Sequence, residues 1–413
     1  MTYTQAVEFF DSFLPFGIKP GLERIRALCA ALGDPQNSLK FIHVAGTNGK
    51  GSVSTMLAEV FSAAGYKTGL FTSPYVLDFR ERFRIDGKMI PEDELIRAAE
   101  ITREAVKAVS EKGIEPTEFE VITAAALYWF KERHCDIVVL ETGLGGRFDA
   151  TNIVENKLAC VITPLSLDHT KILGDTLEKI AAEKCGIFRA GCPVITCADQ
   201  DERAMNVISE KAAELSCPVY VSENPSMLGG DIYGTDALFG DVEIRVPLMG
   251  EHMAKNAAEA VLCAEKLGVD ERYIKEGIEN AKMTARMEIF GEDPLSIRDG
   301  GHNEACAEAL KKVLEKISDG RNIIAVCGMM SDKDYDAYLS RVAPLCDILI
   351  AVTPKNPRAL KAEKLAHTAK KYCKDVRFTD EPKEGLDMAK SICPKDGLLI
   401  VCGSFYLMSD LFT

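Results

Sequence analysis

The chain has no CxxC pair, no apolar run approaching the ~18 uninterrupted residues of a membrane helix, no internal repeat and no low-complexity tract. It also lacks an excess of basic residues: 49 Lys and Arg stand against 63 Asp and Glu, a net charge of −14. Each absence removes a class of function. Without paired cysteines, the 14 thiols, scattered through apolar segments such as IAVCG and LLIVCG, read as free side chains in a reducing compartment, forming neither a disulfide framework nor a zinc site. Without a basic surface, general nucleic-acid binding is disfavoured, because phosphate backbones select positive charge. The first residues, MTYTQAVEFFDSF, carry acids and no secretion-type apolar stretch, so the expectation is a cytoplasmic protein.

What is present is apolar sequence in short, regular pieces. At 413 residues and 47% hydrophobic content, two domains with sizeable cores are expected. Runs of four to six apolar residues (FIHVA, DIVVLE, LACVIT, PVITC) alternate with amphipathic helical stretches, which is the signature of a mainly parallel sheet covered on both faces. Thr117 and Glu120 have the spacing of a capping box ahead of one such helix. From about Ser222 to Pro247 the pattern weakens into Gly- and Asp-rich sequence with short strand-like pieces. A second alternation (LSIRD, NIIAVCG, DILIAV, GLLIVCG) predicts a smaller α/β domain. The expected division is residues 1–281, a hinge at 282–285, and residues 286–413, with ligands in the cleft at the carboxyl ends of the strands.

The stretch His43 to Val53, HVAGTNGKGSV, follows a buried strand and opens a helix. Glycines 46, 49 and 51 let the backbone turn tightly and aim N–H groups at an anion, while the helix adds the positive end of its dipole. Lys50 is placed to reach the outer phosphates. In a GxxxxGK[ST] loop the residue after the lysine gives a hydroxyl to Mg²⁺; here that residue is Gly51, so either Ser52 substitutes or the metal is held elsewhere.

KFIHVAGTNGKGSV, the preceding FGIKPGLERIRALCAALGDPQ and the block VVLETGLGGRFDATN resemble the folylpolyglutamate synthase and dihydrofolate synthase family, related to the Mur ligases; matching pieces run from about Phe16 to Tyr406. The resemblance implies a P-loop ATPase-like N-terminal domain and a Rossmann-like C-terminal one. It implies ATP contacts from Thr47, Asn48, Gly49, Lys50, Gly51, Ser52, Asn256, Arg286 and Asp299. It implies Mg²⁺ ligands at Ser73, Glu141 and His169, with K⁺ as a companion cation. Lys184 matches a lysine that is typically carbamylated. Arg82, His302, Ser404 and Tyr406 match substrate-side residues, and Lys50, Lys184 and His302 are the expected catalytic groups. Met253, Met283, Thr284, Ala285, Gly301 and Glu304 depart from the family's usual forms.

The activity implied is ATP-dependent amide formation through an acyl phosphate, with L-glutamate as amine. The acceptor is a reduced folate carrying glutamate, with dihydropteroate as a second one; the enzyme is expected as a monomer without nucleic-acid or membrane partners. Three rivals are weighed against it. A Mur-type ligase for another acceptor usually reads GKT or GKS in the loop. A guanine-nucleotide switch would need NKxD, and Asn156-Lys157-Leu158-Ala159 lacks the aspartate. A non-catalytic ATP-binding relative has no need to retain Lys50, Ser73, Glu141, His169 and Lys184.

Overall fold

The apolar runs form largely buried strands, and the first eight strands make one sheet. In chain order they are β1 (Phe41–Ala45), β2 (Thr68–Phe71), β3 (Phe83–Ile85), β4 (Lys88–Met89), β5 (Ile137–Glu141), β6 (Lys157–Ile162), β7 (Val194–Thr196) and β8 (Val219–Val221). Their spatial order is β4-β3-β2-β5-β1-β6-β7-β8, with β2 to β8 parallel to their neighbours and β3 and β4 added antiparallel at one edge. The computed structural model describes every residue except Pro15, Phe16 and Ile18. The start of the family-like segment FGIKPG therefore lies partly outside the described residues.

Alternation along the strands feeds two cores. On β5, Val138 and Leu140 join one cluster with Phe71, Phe83 and Phe130, while Val139 faces the opposite one with Ile42, Val44 and Val161. The second core is closed by helix Lys50–Ala63. Its Val53, Met56, Leu57, Val60 and Phe61 are all buried, as are Ser52, Ser54 and Thr55, so this helix has almost no solvent face. Helices Glu251–Lys266 and Glu271–Asn280 cover it from outside.

The Gly- and Asp-rich region forms a separate antiparallel sheet of β9 (Ser226–Asp231), β10 (Gly234–Phe239) and β11 (Val242–Val246). The C-terminal domain is a six-stranded sheet of β12 (Glu288–Glu292), β13 (Leu295–Asp299), β14 (Ile323–Cys327), β15 (Ile348–Val352), β16 (Asp375–Thr379) and β17 (Leu398–Cys402). Its order is β12-β13-β17-β14-β15-β16, with only β12 antiparallel. The second α/β domain is thus mixed at one edge. Among the described residues no helix is long and apolar enough to cross a membrane, and all 14 cysteines are free.

The helix that follows the glycine loop is positioned by a close approach. A Cβ on Gly277 would stand 2.3 Å from Val60 Cα, so only glycine lets the two helices meet there. Gly277→Ala gains helix propensity of about 1 kcal/mol but forces the helices apart at a cost of roughly 1–3 kcal/mol or more. A lowered urea midpoint is expected for this variant; an unchanged or raised one would contradict the packing.

Candidate active site

The loop after β1 is held from below. Gly46 has φ 153°, and a Cβ there would fall 1.8 Å from Thr163 Oγ1. Gly49, at φ 84°, caps helix Lys50–Ala63 and lies against Asn256, whose Oδ1 a Cβ would meet at 2.5 Å. The helix therefore begins at Lys50, directly after the capping glycine. The N–H groups of Thr47 and Asn48 donate to Pro164 O at 3.1 and 3.2 Å, and Thr47 Oγ1 donates to Ser166 O. Lys50 Nζ rests on Thr47 O at 3.3 Å.

Parallel pairing of β1 and β5 places Glu141 beside Val44, next to the loop. Its buried carboxylate accepts from Ser73 N at 3.0 Å and faces Gly51, where a Cβ would come into van der Waals contact with Oε2 at 3.6 Å. Burial raises the Glu141 carboxyl above its ordinary value, against the opposing pull of Lys50, the Ser73 N–H and Arg286. Lys184, 4% exposed on helix Leu177–Cys185, donates to Gly46 O at 2.6 Å. Burial, assisted by the Lys50 cation, holds its ammonium down to about 7. His169, in the left-handed region at φ 50°, follows Asp168; burial and then Lys333 lower its imidazole.

The C-terminal domain closes over this wall. Asn303 Nδ2 donates to Asn48 Oδ1 at 2.8 Å, and Lys333 Nζ reaches Asp168 Oδ1 at 2.8 Å and His169 Nε2 at 3.5 Å. His302 Nε2 stands 3.9 Å from Asp168 Oδ2. Arg286 lies over the Phe405 ring at 4.5 Å and makes no hydrogen bond or ion pair among the described residues. The residues on either side of it, Ala285 and Met287, have φ of 53° and 49°, and Asp299 holds this bend by accepting from Met287 N and Gly301 N.

A cavity of about 170 Å³ results, lined by the loop from Gly46 to Gly51 with Ser73, Glu141, His169, Lys184, Arg286 and His302. A wider cleft of about 440 Å³ adjoins it through Ser73, His169 and His302, and is lined by Phe119, Phe148 and Ile172 from one domain and Ser404 and Tyr406 from the other. Arg82 also lines it, buried over the Tyr75 ring at 5.2 Å with Glu118 at 3.8 Å. Ser404 caps helix Phe405–Phe412 by accepting from Tyr406 N. Three expected contacts do not line either cavity: Ser52 is buried and lines a smaller adjoining pocket with Gly51, Ser73, Glu141 and Arg286, Asn256 lies against Gly49, and Asp299 holds the bend that carries Arg286.

No three His, Cys, Asp or Glu side chains are gathered as a ready cation site among the described residues. A hydroxyl, a carboxylate and an imidazole lining the cavity, in Ser73, Glu141 and His169, suit a hard divalent cation when phosphate oxygens supply the remaining ligands. Sequence reasoning missed Lys333 and Arg358, both lining the wider cleft. Their signal was a charged residue in the loops that follow parallel strands β14 and β15, where ligand sites collect.

Lys333 balances Asp168 across the domain boundary. Burial alone would raise the Asp168 carboxyl, but Lys333, His169 and His302 hold it at about 2. The stabilisation is therefore full above the ordinary carboxyl range near pH 4 and is lost as the pH falls toward 2. Lys333→Met is expected to cost roughly 1–3 kcal/mol of stability at pH 7, a penalty that shrinks below pH 4. A penalty equal at pH 7 and pH 3 would contradict the ion pair.

The chain matches the Mur ligase middle domain over residues 44–264 and the Mur ligase glutamate ligase domain over residues 285–405. It is 33% identical to the dihydrofolate synthase/folylpolyglutamate synthase of Bacillus subtilis, covering 99% of this chain and 98% of that protein. It is 32% identical to the folylpolyglutamate synthase of Lacticaseibacillus casei, covering 99% and 97%. Among solved structures, Mycobacterium tuberculosis folylpolyglutamate synthase complexed with ADP superposes with a TM-score of 0.90 at 30% identity, covering 98% of this chain and 96% of that one. Escherichia coli FolC in complex with DHPP and ADP superposes at 0.87 and 31%, covering 99% and 96%. By sequence along nearly its whole length and by fold, the chain belongs to the folylpolyglutamate synthase and dihydrofolate synthase family of the Mur ligase superfamily.

Proposed function

We propose that this protein is an ATP-dependent amide ligase that joins L-glutamate to the γ-carboxylate of a tetrahydrofolate glutamate, releasing ADP and phosphate, with dihydropteroate as a second acceptor. The observation that carries the reading is the juxtaposition of a phosphate-type loop with a partly apolar cleft large enough for an aromatic acid, the two meeting at Ser73, His169 and His302. A free carboxylate cannot be attacked by an amine, because its leaving group would be oxide. Transfer of the γ-phosphoryl group gives an acyl phosphate, and the amine then displaces phosphate.

In this reading the N–H groups of Gly49, Lys50 and Gly51 hold the phosphates, Thr47 and Asn48 shape the loop through their bonds to Pro164 O, and Lys50 offsets charge on the transferring group. Arg286, from the second domain, lines the same cavity with a guanidinium that makes no hydrogen bond or ion pair among the described residues. Asn256 and Asp299 act by supporting Gly49 and the Arg286 bend, with Ser52 supporting the helix start. Mg²⁺, held by Ser73, Glu141 and His169, would supply electrostatic stabilisation of the phosphates; K⁺ is assigned as the companion cation. Arg82 and Tyr406 face the acceptor and the amino acid, with Ser404 shaping the cleft, and His302 orients the reacting carboxylate. The lowered Lys184 amine is partly neutral near pH 7, the form that adds to CO₂, which supports carbamylation there. Closure keeps water from the acyl phosphate. We assign the domains to residues 1–281 and 286–413 with 282–285 as hinge, and the enzyme to the cytoplasm as a monomer.

Two outcomes test this. ADP release in the presence of ATP, Mg²⁺ and L-glutamate is expected with tetrahydrofolate and, to establish the second activity, with dihydropteroate; silence with both would reject the folate reading. Lys50→Ala is expected to stay folded by circular dichroism and to lose turnover by at least about 10³-fold, and near-normal turnover would remove Lys50 from its role.

A further inference from the structure

A third space, of about 60 Å³, adjoins the inner cavity through Gly51, Ser73, Glu141 and Arg286 and is the smaller pocket that Ser52 lines. Three cations wall it: Arg84 on β3, Lys282 in the segment between the domains, and Arg286. None of the three makes a hydrogen bond or an ion pair among the described residues, and Arg84 Nε is buried with no partner. In a chain of net charge −14, three unpaired cations around one opening are not a consequence of composition. The acids beside them are engaged elsewhere. Glu81 accepts from the backbone N–H groups of Val76, Leu77 and Asp78, and Glu141 from that of Ser73. Glu59, on the buried helix, is beyond ion-pair distance of Arg84 and Lys282; burial raises its carboxyl while these two cations pull it down. Ser52 and Thr55 line the pocket from the start of helix Lys50–Ala63, whose first N–H groups have no intrahelical partner.

We propose that this pocket is an inorganic phosphate site, to which the phosphate freed by the reaction moves while nucleotide and acceptor fill the larger spaces; the second half of that assignment rests on the ligase activity proposed above. Size decides against larger occupants, since about 60 Å³ admits a tetrahedral oxyanion but neither a nucleotide nor a pterin. Position separates the pocket from the flank that Asn256 covers. Asn256 lies against Gly49 from helix Glu251–Lys266, which packs on β6 and β7. Arg84 and Thr72 come from β3 and the end of β2, on the other side of β1 in the sheet order. When the amine displaces phosphate, an anion is set free in a cavity bounded by ADP on the loop and by the amide product in the wider cleft. The cationic pocket offers it a third direction, with Arg286 shared between the two spaces and Arg84 and Lys282 beyond. Guanidinium groups suit this task because their parallel N–H groups match phosphate oxygens, and the exposed Lys282 adds charge without fixed geometry.

Calorimetric titration of inorganic phosphate into the full-length enzyme saturated with ADP and Mg²⁺ tests the site with the loop already filled. Binding of one phosphate is expected, weakened roughly 10-fold in Arg84→Met and roughly 3-fold in Lys282→Met, with ADP affinity within about twofold of the wild type in both. Arg84→Lys should recover part of the loss, and Glu59→Gln should tighten binding. Lys282 is exposed, so its replacement reads charge without a packing change. No phosphate bound by the wild-type ADP complex, an affinity that both variants leave unchanged, or a loss of ADP affinity in step with that of phosphate would overturn the site. This arm needs no turnover and stands apart from the ligase reading. In a second arm, with ATP, Mg²⁺, L-glutamate and tetrahydrofolate, the inhibition constant of added phosphate is expected to rise by the same factors. Inhibition equal in the wild type and both variants would overturn the pocket as the place that the reaction's own phosphate occupies. A wild type without glutamate-dependent turnover would reject the ligase reading and, with it, that second assignment.

Discussion

Asp168 is the point where the two domains meet electrically. A carboxylate 15% exposed, at the end of a loop after β6, is costly to bury alone, and it is neutralised by a lysine that arrives from 165 residues later in the chain. His169 and His302 stand beside the same carboxylate, one from each domain. The pair therefore does more than join surfaces: it sets the separation at which the phosphate-type loop, the Glu141 wall and the C-terminal histidine share a cavity. The Asn303 to Asn48 hydrogen bond fixes a second point directly on the loop. A domain rotation that broke both contacts would leave each half of the site intact and the whole absent.

Within each half, rigidity comes from backbone packing. Gly46 against Thr163, Gly49 against Asn256 and Gly277 against Val60 are three close approaches that admit no side chain, and together they fix where the buried helix after the loop begins. Such a helix, buried on nearly every face, cannot shift without opening a core. On the other side, Asp299 and Glu288 tie the two flanks of the Arg286 bend, accepting from Met287 N and Ala285 N respectively, so that a positive-φ segment at the domain junction presents its arginine to the cavity. The more adaptable part of the cleft lies outside these constraints, where Phe148 and Ile172 remain half exposed.

The sequence disclosed what is local. FIHVA, DIVVLE and LLIVCG are read as buried strands because an apolar run bounded by turn residues has few alternatives, and the capping box at Thr117 and Glu120 is present as its spacing predicts. Glu141 next to the loop follows from strand adjacency. Less legible were the antiparallel edge strands β3, β4 and β12, and β16, whose DVRFT is only half buried and reads as polar. Lys333 and Arg358 carry no periodicity at all. Their relevance arises from contacts made across the cleft, and no local pattern encodes a partner so distant in the chain. Asn256 and Asp299 show the converse: a motif marks them, while their position behind the cavity wall depends on packing that a motif does not describe.

The central claim is that this cleft activates a carboxylate by phosphorylation before an amine attacks it. The most direct test is to supply a tetrahydrofolate acceptor whose γ-carboxylate oxygens are ¹⁸O, together with ATP, Mg²⁺ and L-glutamate, and to analyse the phosphate released. One ¹⁸O per phosphate formed is the predicted result, because the acyl oxygen leaves with the phosphoryl group. Unlabelled phosphate accompanying amide formation would contradict the account.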